Sequence, residues 1–115
     1  MQRRLGGWFV AIVVVASIAP MLAAGRAIAD GWVPIGDNAA IAIHTRDVFS
    51  ADTPLLGTRT TLGGPGFTER VRHPGPLEFW ALALPDRAAG GAPWGIVVGT
   101  ALIAIAALVA VAWAA

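Results

Sequence analysis

LGGWFVAIVVVASIAPMLAA, residues Leu5–Ala24, contains no ionisable side chain. As an α-helix rising about 1.5 Å per residue, a segment of this length covers the roughly 30 Å hydrocarbon core of a bilayer. A second segment of the same kind, GIVVGTALIAIAALVAVAWAA, occupies Gly95–Ala115. Lipid offers backbone N–H and C=O groups no partner, so each segment must satisfy them internally, as a helix does. Composition agrees: 57% of the 115 residues are hydrophobic and 13% charged, against about 25% charged in soluble domains. The fold class expected is an all-α integral membrane protein. Cysteine is absent, which removes disulfides, thiolate nucleophiles and cysteine metal sites from consideration.

The net charge of +1 matters less than its distribution. Arg3 and Arg4 precede the first span, and the remaining six arginines are interspersed with seven acidic residues between the spans. Positive residues favour the cytoplasmic side, and long loops translocate largely regardless of charge. The expected layout is therefore a multi-pass protein of the plasma membrane, with residues 1–4 cytoplasmic, a span at 5–24 and an exported loop at 25–75. Scattered arginines form no basic stripe, so nucleic acid is not an expected partner. Ala27-Ile28-Ala29 has the A-x-A form of a signal-peptidase site. A retained anchor is the favoured reading, because a twenty-residue apolar run exceeds the h-region of about 7–15 residues in a signal peptide.

Within this frame Pro20 is expected to kink the first helix, and Gly31-Trp32-Val33-Pro34 reads as an interface segment. NAAIAIHTRDVFS, residues 38–50, predicts a juxtamembrane helix with Ile41, Thr45, Val48 and Phe49 on one side. Arg46 and Asp47 point away from that side, and Ile43 lies off the apolar face. Residues 52–66 predict a loop, broken by Thr53-Pro54, Gly57 and Gly63-Gly64-Pro65-Gly66. A short apolar helix is expected at 76–90, with Pro76 in its first turn and Gly90-Gly91 at its end. About fifteen residues would rise about 22 Å, a short second crossing. The last span, 94–115, runs to its end without a polar flank, which raises the expectation of a fragment of a longer protein. Its Gly95 and Gly99 form a G-x-x-x-G pair, read here as chance in so alanine- and glycine-rich a chain.

No Walker A, G-x-G-x-x-G, H-E-x-x-H or serine-elbow pattern is present. Polar groups that could carry chemistry are Asp30, Asp37, His44, Asp47, Arg72, His73 and Glu78. Asp37 fits an N-cap for the following helix, the reading its spacing favours, and could serve at the same time as a carboxylate base near a membrane surface. Arg72 and His73 suit a phosphate, the guanidinium offering a two-pronged donor, and Pro74 and Pro76 would fix the backbone that presents them. His44 and Asp47, at i and i+3, have a metal-compatible spacing, but a surface pair explains them, and no metal site is assigned. Glu78, at the start of an apolar helix, needs a partner or a water-lined cavity and stands as a secondary candidate.

The order of these features, a basic start, one span, Gly36-Asp37, a helix, a Gly/Pro-rich loop and then His73-Pro74-Gly75-Pro76-Leu77 opening an apolar helix, resembles the N-terminal part of GT-C fold membrane glycosyltransferases. That class includes protein mannosyltransferases and aminoarabinose transferases. The resemblance implies a polyprenyl-phosphate-linked sugar donor and an envelope acceptor. It further implies that Asp37 corresponds to the loop carboxylate that assists the acceptor, and that Arg72 and His73 lie near the lipid phosphate. Asn38 stands where many members have a second acid, and Arg72 replaces the acid before the H-P. No cofactor is required by any motif, and a divalent metal is left open. On the same likeness 76–90 is the second crossing, which would place the end of the chain outside. A small, non-enzymatic two-span protein with an exported binding loop is the alternative.

Overall fold

The computed structural model describes residues 6–59, 72, 73 and 75–114. Arg3 and Arg4, the Gly63–Gly66 breaker and Pro74 lie outside the described residues. The described chain is all-helical: α1 is Gly7–Ala29, α2 Asp37–Asp47, α3 Leu77–Ala88 and α4 Pro93–Ala114. Between α2 and α3 the one regular feature among the described residues is an isolated antiparallel bridge, Arg59 to Arg72.

Two helices, α1 with 23 residues and α4 with 22, are long and apolar enough to cross a membrane. α1 buries none of its residues and exposes Val10, Ile12, Val14, Val15, Ile18, Met21 and Leu22. A core helix of a water-soluble fold would hide one face of such a surface. α4 buries only Gly95, Ile96 and Gly99. α1 outlasts the uncharged window, running through Pro20 and Arg26. It stops where glycine permits a left-handed turn: Gly31 has φ 67°, the Gly31 N–H donates to Ile28 O at 3.1 Å and the Trp32 N–H to Ala27 O at 2.9 Å. These are the paired bonds of a Schellman end.

The same device ends α3. Gly90 has φ 64° and Gly91 φ 77°; the Gly90 N–H donates to Arg87 O at 3.0 Å and the Gly91 N–H to Asp86 O at 2.9 Å. The chain then turns directly into α4, so α3 folds back along the first half of α4. Gly95 and Gly99 make that approach possible. A Cβ on Gly95 would come within 2.6 Å of Ala89 Cβ and 2.9 Å of Pro85 O, and one on Gly99 within 2.7 Å of Leu82 Cδ2. Their spacing is therefore a packing seam, which corrects the reading of the pair as chance.

α2 lies across α3. Ala42 meets Leu82 and Ile96, with Trp32 and Ile41 against them, and Val48 meets Phe79 and Ala83. Of the expected apolar side of α2, Ile41, Thr45 and Val48 face the protein, but Phe49 does not. It lies beyond the helix, which ends at Asp47, in a left-handed conformation with φ 67°. There its ring is 61% exposed. The short helix 76–90 is also trimmed: Pro76 is the N-cap and twelve residues are helical, about 18 Å of rise.

Candidate functional site

The N-terminal end of α2, the start of α3 and the bridged segments around Arg59 and Arg72 enclose a cleft of about 880 Å³. Asp37, His44, Arg72, His73 and Glu78 all line it. Five of the seven polar residues singled out from the sequence are thus brought together, although a long loop separates His44 from Arg72 in the chain; Asp30 does not line the cleft. Asp47 is not among the lining residues; its backbone carbonyl instead accepts bonds from Ser50 Oγ at 2.6 Å and Thr53 Oγ1 at 3.3 Å. The His44–Asp47 pairing therefore does not form part of the cleft. His44 packs against Phe79, ring centroids 5.2 Å apart.

Asp37 is not the N-cap. Gly36 occupies that position with φ 56°, Asp37 is the first helical residue, and no side chain caps the helix. The difference arises because Gly36 can take a positive φ that turns the chain into α2 without help. Asp37 then sits where the helix dipole favours an anion, with its side chain exposed at the cleft.

The cationic side of the cleft is built by the bridge. The His73 N–H donates to Thr58 O at 2.9 Å, and Arg72 Nη1 donates to Gly57 O at 3.4 Å. Gly57 is buried, and a Cβ there would run into the His73 carbonyl, so glycine is what lets the two segments meet. This pairing sets Arg59 directly opposite Arg72, and both line the cleft. Like charges opposite one another across strands repel, so the arrangement is one that an anion would relieve. Arg59 was missed in the sequence because no alternation of apolar and polar residues announces a strand there. The cleft thus sets two guanidinium groups and two histidines against two carboxylates, Asp37 and Glu78. Among the described residues no cluster of three histidine, aspartate or glutamate side chains is arranged to hold a metal ion.

A further ionic group, also missed, lies away from the cleft. Asp86 is 2% exposed, and its Oδ2 is 3.8 Å from Arg46 Nε. Arg46 Nη2 donates to Gly91 O at 2.6 Å. Arg87 Nη2 donates to Val48 O at 2.7 Å and lies over the Phe49 ring, 5.4 Å from its centre. Adjacent residues of α3 thus fasten the C-terminal end of α2. Pro85, Asp86 and Arg87 are all helical, within the helix expected at 76–90.

Comparison with known protein families, with curated proteins and with solved structures finds no match.

Proposed function

We propose that this chain is the N-terminal part of a membrane glycosyltransferase of the GT-C kind, which transfers a sugar from a polyprenyl-phosphate donor to an envelope acceptor. The observation that carries the proposal is the cleft itself, where an exposed carboxylate, Asp37, shares one cavity with Arg59, Arg72 and His73. The bulk of α1 and α4, apolar and unburied, supports insertion in the plasma membrane, with residues 1–4 cytoplasmic and the cleft open to the outer side.

In this reading Arg72 and His73 donate hydrogen bonds to the lipid phosphate. Asp37 accepts the proton of the acceptor hydroxyl as its oxygen attacks the anomeric carbon. The new C–O bond forms while the bond from that carbon to the phosphate oxygen breaks, and the polyprenyl phosphate leaves with the electron pair. Cationic donors already in place stabilise that charge most where water is scarce. Glu78 also lines the cleft and in this reading contacts sugar hydroxyls.

The test is sugar transfer in membranes supplied with a panel of polyprenyl-phosphate hexoses. Asp37→Asn should abolish transfer while leaving donor retention intact. Near-normal turnover would remove Asp37 from the mechanism. Donor retention without transfer to any acceptor would favour the binding protein over the enzyme.

A further inference from the structure

The backbone brings Arg59 and Arg72 together against their charges. The His73 N–H donates to Thr58 O at 2.9 Å, and the next couple along this antiparallel ladder is Arg59 opposite Arg72. Hydrogen-bonded and non-hydrogen-bonded couples alternate in such a ladder, so Arg59 and Arg72 form the second kind, with Cα atoms about 4.5 Å apart and side chains on one face. Both line the same cleft. Two guanidinium groups thus leave adjoining points of the backbone for one space.

A guanidinium keeps its charge in proteins, so the repulsion within this couple is permanent. An anion with two charges on one centre offsets it best. A phosphate monoester is such an anion above about pH 6, with three acceptor oxygens, whereas a phosphate diester carries a single charge. The carboxylates of the cleft, Asp37 and Glu78, stand in the first turns of α2 and α3, on other segments than the bridge.

We infer that Arg59 and Arg72 form a site for a phosphate group with two negative charges, Arg59 being a second cation on the phosphate that Arg72 and His73 hold. The assignment rests on the sugar-transfer reading of the cleft and names the ligand that it holds more tightly. The polyprenyl-phosphate sugar is a diester with one charge. When the bond from its phosphate oxygen to the anomeric carbon breaks, the electron pair stays on that oxygen and the acceptor proton goes to Asp37. The lipid phosphate is then a monoester with two charges. Arg59 therefore stabilises the leaving group more than the donor. Coulomb energy is proportional to charge, so losing this cation should cost the monoester about twice the free energy it costs the diester: about tenfold in retention for one, about threefold for the other.

The test is retention, by the chain in nanodiscs, of a polyprenyl phosphate, its methyl diester and the uncharged polyprenol, read by native mass spectrometry. The unsubstituted chain should retain the monoester above the diester and the diester above the alcohol. Arg59→Gln, which leaves the backbone bridge its hydrogen bonds, should weaken the two phosphates by those unequal factors, and Arg59→Lys should restore part of the difference. Equal losses for both phosphates mark Arg59 as a structural residue and overturn the inference, as does no loss for either. Retention of neither phosphate above the alcohol by the unsubstituted chain overturns the lipid-phosphate reading itself. Inorganic phosphate bound in place of the lipid, and lost in Arg59→Gln, keeps the doubly charged site and removes the lipid donor from it.

Discussion

Arg46 Nε stands 3.8 Å from Oδ2 of Asp86, whose side chain is 3% exposed while that of Arg46 is 48% exposed. The pair ties α2, which carries Asp37 and His44, to the corner where α3 turns into α4. Asp86 Oδ1 and the buried Thr45 hydroxyl have no hydrogen-bond partner among the described residues, so Arg46 supplies the main compensation for a desolvated charge.

Removing Arg46 should therefore hurt more than neutralising Asp86. Arg46→Gln leaves a buried carboxylate without its cation and should cost about 2 kcal/mol, whereas Asp86→Asn keeps an acceptor and carries no charge. Unfolding in detergent, followed by circular dichroism, reads the two variants. An equal loss for both, or a larger one for Asp86→Asn, would show that the pair does not hold α2 in place.

The glycine seam between α3 and α4 makes a second ordering. Gly95→Ala would press on backbone, Pro85 O at 2.9 Å and Asp86 Cα at 3.0 Å, whereas Gly99→Ala first meets the end of the Leu82 side chain. Gly25 has nothing within 4 Å. We expect Gly95→Ala to destabilise by about 1–3 kcal/mol, Gly99→Ala by less, and Gly25→Ala to be neutral or stabilising by up to about 1 kcal/mol. Thermal melts of the three variants in one detergent provide the comparison.

Phe49 presents a bulky side chain at φ 67°, a conformation that costs a non-glycine residue about 1–2 kcal/mol. Its ring meets Trp80 edge-on at 5.4 Å and lies beneath Arg87. Phe49→Ala loses both contacts and keeps the strain; Phe49→Gly loses the contacts and relieves it. Glycine should thus be the milder substitution by about 1 kcal/mol, measured in the same melts.

What could be read from the sequence follows from which forces are local. The two long apolar helices, the Gly90-Gly91 stop and the short helices were legible, because hydrophobic runs and glycine turns are written in neighbouring residues, whereas the Gly31 stop was not read. The end of α1 was placed at Ala24, since a lone Arg26 looks like a boundary although a long side chain can leave the apolar layer without breaking the helix. Asp37 was recognised but given a cap that Gly36 provides. Nothing local announces Arg59 opposite Arg72 or Arg46 beside Asp86, because each is a contact between segments far apart in the chain. The convergence of Asp37 and His44 on His73 and Glu78 is set by how α2 crosses α3, a packing outcome.

The site stands or falls on whether the cleft holds a lipid phosphate. The measurement is retention of polyprenyl phosphate by the chain in nanodiscs, read by native mass spectrometry against the uncharged polyprenol. We expect one phosphate lipid per chain, a preference of at least about tenfold over the alcohol, and a loss of about tenfold for Arg72→Gln or His73→Gln, roughly 1.4 kcal/mol. Gly57→Ala, which displaces the His73 carbonyl, should lose the same preference while the helices remain. Equal retention of phosphate and alcohol, or undiminished retention by a chain lacking both Arg72 and His73, would contradict the account.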